Sequence, residues 1–64
     1  MTKKQMRKLA QEIATQNKAY ETAKTQEEQA AAEQRIFSIT KQVLSLPHGL
    51  EILGEIDSLV QTLL

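Results

Sequence analysis

From Lys3 to Gln34 the large apolar residues are sparse and regularly placed. Met6, Leu9, Ile13, Tyr20 and Ala23 recur three, four or seven positions apart. That spacing predicts one narrow apolar stripe on an α-helix. Ile36, Ile39, Val43 and Leu46, led by Ala32, form a second and stronger stripe. The two do not share a phase. Carried onward, the first stripe meets Glu27, Ala30, Gln34, Phe37, Lys41 and Leu44, a poor seam. The second lies about 180° round the helix from that continuation.

Alanine, glutamate, glutamine and lysine dominate the first 46 residues, and neither glycine nor proline interrupts them. Propensity alone therefore allows one helix from about residue 3 to 45. A straight helix would bury opposite sides at its two ends, whereas a turn within 19–35 lets the stripes face each other. Thr25-Gln26-Glu27-Glu28 supplies a capping box for such a turn. Glu27 and Glu28 would suit the positive N-terminal end of the new helix, and Lys24 the negative C-terminal end of the old one. Thr2-Lys3-Lys4-Gln5 offers the same box for the first helix, with lysines that oppose the dipole. The long straight helix remains the alternative.

A second break falls at Ser45-Leu46-Pro47-His48-Gly49. Pro47 disfavours helical geometry at Leu46 and suits the first turn of a new helix. The expected architecture is all-α: a helical hairpin of about 3–24 and 26–45, then a shorter apolar helix of about 47–63, in one small domain spanning 1–64.

The third helix is unusually apolar. Leu50, Ile52, Leu53, Ile56, Leu59, Val60, Leu63 and Leu64 fill eight of the eighteen positions from Pro47 to Leu64. They cover an arc of about 180°, broader than the roughly 100° one core-facing stripe needs. Ile52, Ile56, Leu59 and Leu63 line one side of that arc, and Leu50, Leu53, Val60 and Leu64 the other. One side covers the hairpin; the other is left for a second surface, as are Phe37 and Leu44 beside the main stripe of the second helix. The expected interface is therefore Phe37, Leu44, Leu50, Leu53, Val60 and Leu64, with Asp57 as a solvated rim residue. Between Gln16 and Gln34 the only large apolar side chain is Tyr20, so the hairpin tip should be thin.

Size strengthens the expectation of a partner. Sixty-four residues make one domain at most, and small cores need a disulfide, a metal or another chain. Cysteine is absent, which removes disulfides and thiol chemistry together. No signal-like apolar run follows the basic N-terminus, and no stretch approaches the roughly 20 apolar residues of a bilayer span. A soluble, cytoplasmic homo-oligomer, most simply a two-fold dimer or helical bundle, is expected, with docking to another helical protein as a further possibility.

Eight basic and eight acidic residues balance, but they segregate. Residues 1–24 carry six basic and two acidic side chains, and 25–64 carry two and six. Lys3, Lys4, Arg7 and Lys8 share the polar face of the first helix with Lys18. A basic helix can hold phosphates, which gives the alternative reading, a small nucleic-acid-associated protein. No aromatic residue interleaves them and no nucleic-acid motif is present.

Catalytic signals are weak. His48, Glu51 and Glu55 have a spacing that could share one face and ligate a metal, but such spacing is common by chance. Ser45, His48 and Asp57 contain the residue types of a hydrolytic triad without a pocket or an oxyanion hole. The sequence reads as a non-enzyme with no cofactor, no metal and no catalytic residues.

Overall fold

A computed structural model describes residues 1–63 of the chain. It contains three helices: α1 (Lys3–Thr22), α2 (Gln26–Leu44) and α3 (Gly49–Leu63). The all-α three-helix architecture expected from the pattern is present, and the chain does turn within 19–35.

Local chemistry accounts for that turn. Lys24 is where a continuing helix would donate its N–H to the Tyr20 carbonyl. Instead that N–H donates to Glu28 Oε2 at 3.1 Å. Ala23 becomes extended, and its own N–H donates to Tyr20 O at 3.4 Å. Thr25 caps α2, its hydroxyl accepting from the Glu28 N–H at 3.1 Å. Glu28 thus serves both sides of the turn, reaching one residue further back than a standard capping box. Glu27 and Glu28 occupy the first turn of α2, where its dipole favours them. At the start of α1 the box is complete. The Thr2 N–H donates to Gln5 Oε1 at 3.0 Å, and the Gln5 N–H donates to Thr2 Oγ1 at 3.2 Å.

The second connection differs from expectation. Pro47 stands in a turn rather than in the first turn of α3, which begins at Gly49. His48 is the reason. Its φ is 58°, a left-handed conformation in which no helix continues. The chain folds sharply here: Leu46 N–H donates to Val43 O at 3.1 Å, and Gly49 N–H to Leu46 O at 3.0 Å. Gly49 is buried against the end of α2, where a Cβ would lie 2.8 Å from the Leu44 Cα. Only glycine permits that approach.

From that contact α3 runs across the hairpin toward the first turns of α1, where Leu59 and Thr62 share a hollow with Lys3, Met6 and Arg7. The core lies beneath this crossing. Met6, Ala10 and Ile13 of α1, Ile39 and Val43 of α2, and Ile56 and Val60 of α3 form one buried cluster. Leu9, Ala14, Ile52, Leu53 and Leu59 pack around it, half-buried. Ala10 and Ile56 are fully buried. A small side chain at Ala10 allows α3 to settle close to α1.

Three large residues predicted on core-facing stripes are exposed, Leu63 at the end of α3 among them. Tyr20 is exposed because α3 crosses well short of the hairpin tip, and Leu46 is exposed because α2 ends before it. Between the α3 crossing and the tip, only Ala32 is buried. The tip is thin, as its composition implied.

Candidate interaction surface

The outer side of α2 carries the most distinctive surface feature. Phe37 is 69% exposed and Leu44 47% exposed. Both lie about 140° round the helix from the buried stripe of Ala32, Ile39 and Val43. Neither belongs to the core cluster. Phe37 sits in a shallow depression of about 530 Å³ that Ala30, Glu33, Gln34, Ser38 and Lys41 also line. Leu50, in the first turn of α3, is 79% exposed. It borders a hollow of about 430 Å³ that α1 lines with Ile13 and Asn17, α2 with Ile36 and Thr40, and α3 with Leu53 and Asp57. An adjoining hollow shares Asn17, Ile36 and Thr40 and extends to Tyr20, Glu33 and Phe37. Phe37 and Leu50 therefore border one stretch of groove, running along the α1–α2 seam from α3 toward the tip.

The six residues expected at an interface separate in the structure. Phe37, Leu44 and Leu50 are free on the surface. Leu53 is half-buried, packed against the core on one side and lining the groove on the other. Val60 is a correction: it is 2% exposed and sits inside the monomer core. It follows Ile56 by one turn, about 40° apart on the helix, so the two cannot serve opposite surfaces. The seam of α3 runs through Ile56 and Val60, with Ile52 and Leu59 flanking one side and Leu53 the other. Leu64 lies outside the described residues. Asp57 is exposed and lines the same hollow as Leu50 and Leu53.

Sequence reading set Ala30 and Lys41 on one line with Phe37 and Leu44 without assigning them to an interface, and passed over Glu33. Their signal was available: Glu33 and Lys41 stand one helical turn before and after Phe37, and Ala30 and Leu44 stand two turns before and after it.

Lys3, Lys4, Arg7 and Lys8 are all exposed on α1. None of them forms an ion pair among the described residues. The ion pair that crosses between helices joins the minority charges of each half of the chain. Arg35 Nε donates to Glu12 Oε1 at 2.8 Å, linking α2 to α1.

The candidate catalytic and metal-binding side chains lie at or near the second connection and on α3. His48 Nδ1 stands 3.9 Å from Glu51 Oε2, with both side chains largely in solvent. Among the described residues no group of three histidine, cysteine, aspartate or glutamate side chains comes together. Ser45 donates its hydroxyl to the Gln42 carbonyl at 2.7 Å, an ordinary helix-end bond. Among the described residues no helix is long and apolar enough to cross a membrane. No protein-family model matches the chain, and no curated protein and no solved structure matches it either.

Proposed function

We propose that the chain is a non-catalytic helical interaction module that works by associating with itself. One observation carries this reading. Phe37, Leu44 and Leu50 stand open on a domain whose buried cluster, among the described residues, is seven side chains. In so small a chain, leaving two large leucines and the only phenylalanine in water forgoes a sizeable share of the apolar surface available for burial. Phe37 and Leu50 border one groove and Leu44 stands beside Phe37 on the outer side of α2; exposed apolar side chains grouped in this way are a feature of contact surfaces. A second copy of the chain presents the same surface and would cover it in an isologous dimer.

Native mass spectrometry in mild salt tests the reading directly. A dimer or larger assembly that dissociates on dilution is expected. A monomer at every concentration contradicts it. Substitutions aimed at the contact belong at Phe37 and Leu50, because Val60 is core and its replacement would unfold the monomer.

A second reading has one observation in its favour. Lys3, Lys4, Arg7 and Lys8 cluster at one end of α1 and form no ion pair among the described residues, although Glu55 lines the same hollow as Lys3 and Arg7. In this reading an assembled dimer associates with nucleic acid. Charge reversal at Lys4 and Arg7 should then abolish retention of an oligonucleotide without changing subunit number. Wild-type protein that shows no salt-dependent retention removes this reading.

A further inference from the structure

The free face of α2 is complementary to itself when reversed. Ala30, Glu33, Phe37, Lys41 and Leu44 fall within an arc of about 80° on the helix. All five are exposed. About Phe37 they are arranged symmetrically in position and oppositely in character. Glu33 lies four residues before and Lys41 four residues after; Ala30 lies seven before and Leu44 seven after.

We propose that two copies of the chain pair through α2, antiparallel, about a two-fold axis at Phe37. In an isologous contact the residue n positions before the axis meets the residue n positions after it on the other copy. Glu33 then meets the second copy's Lys41, and Lys41 meets its Glu33, so the pair forms twice. Ala30 meets Leu44, again twice, a small side chain receiving a large one as interdigitating helices require. The two Phe37 rings meet at the centre. A parallel pairing in register would instead set Glu33 against Glu33 and Lys41 against Lys41. Charge therefore selects the antiparallel direction, and a second copy of this chain as the occupant.

Neither Glu33 nor Lys41 forms an ion pair within its own chain among the described residues, so both remain available. The contact runs along one helix, which places it at the weak end of the interface scale. Association should be concentration-dependent and weakened by salt.

This proposal rests on the self-association reading, and a charge swap separates the two. Glu33→Lys puts lysine against Lys41 at both ends of the contact, and Lys41→Glu puts glutamate against Glu33. Each variant alone should dimerise roughly tenfold more weakly than wild type. Mixed together, the two variants should form a heterodimer at close to wild-type strength, because every facing pair is again opposite in charge. Sedimentation equilibrium at low salt reads all three samples, with circular dichroism reporting helicity. If the wild type dimerises and both variants dimerise equally well, the α2 pairing is overturned while self-association stands. If the wild type is monomeric throughout, both fail.

Discussion

The two faces of α2 carry similar amounts of apolar bulk to different ends. The inner face buries Ala32, Ile39 and Val43 against α1 and α3, with Ile39 and Val43 in the core cluster. The outer face holds Phe37 in water between Glu33 and Lys41, with Leu44 exposed just beyond Lys41. The inner residues determine whether the monomer folds. The outer residues contribute little to the monomer and, on the proposal above, determine whether copies associate. Substitutions on the two faces should therefore move different observables, and that separation is open to test.

The largest effect is expected at the core. Ile56→Ala removes a fully buried side chain at the centre of the crossing. It should lower unfolding free energy by about 2–5 kcal/mol, which approaches the whole stability of a domain this size. Urea denaturation followed by circular dichroism should show a much earlier midpoint or no cooperative transition. Gly49→Ala comes next. The added methyl would press on the backbone at Val43 and Leu44, and about 1–3 kcal/mol should be lost by the same measurement.

Thr25→Ala tests the turn. It removes the hydroxyl that accepts the Glu28 N–H and should cost about 1 kcal/mol. Hydrogen exchange should speed up at the first amides of α2 and leave the amides near Ile56 largely unchanged. Arg35→Ala breaks the exposed pair with Glu12 and should cost under about 1 kcal/mol, with the difference shrinking as salt is added. Smallest of all in monomer stability is Phe37→Ser, within about 0.5 kcal/mol for an exposed position. Its effect belongs in the association constant. A large stability loss from Phe37→Ser in dilute monomer would dissolve the distinction between the two faces.

Much of the architecture was legible because it is written locally. The phase change between the Met6–Ile13 and Ile36–Val43 stripes, joined to Thr25 and Glu28, marks the hairpin turn without tertiary information. The thin tip follows from its alanines. Other features depend on where helices cross, which no local pattern encodes. Val60 reads as surplus when α3 is divided into two sides, yet the crossing places its seam along Ile56 and Val60. Leu46 continues a helical stripe in sequence but lies past the last turn of α2. The left-handed His48 was hidden too, since the neighbouring proline drew attention to a helix start two residues early. At the candidate surface, Phe37, Leu44 and Leu50 were legible as apolar residues out of phase with the core. The spacing of Glu33 and Lys41 about Phe37 is also present in the sequence, but it gains meaning only once the face is known to be free.

The most direct test of self-association through the outer face of α2 is sedimentation equilibrium on the wild type and on Phe37→Ser/Leu44→Ser, at matched concentrations in low salt. The account predicts a wild-type mass rising from 7.2 kDa toward twice that value as concentration increases. The double variant should stay at one chain with its helicity intact. A wild type that remains at 7.2 kDa across the range, or a variant that associates as strongly as the wild type, would contradict it.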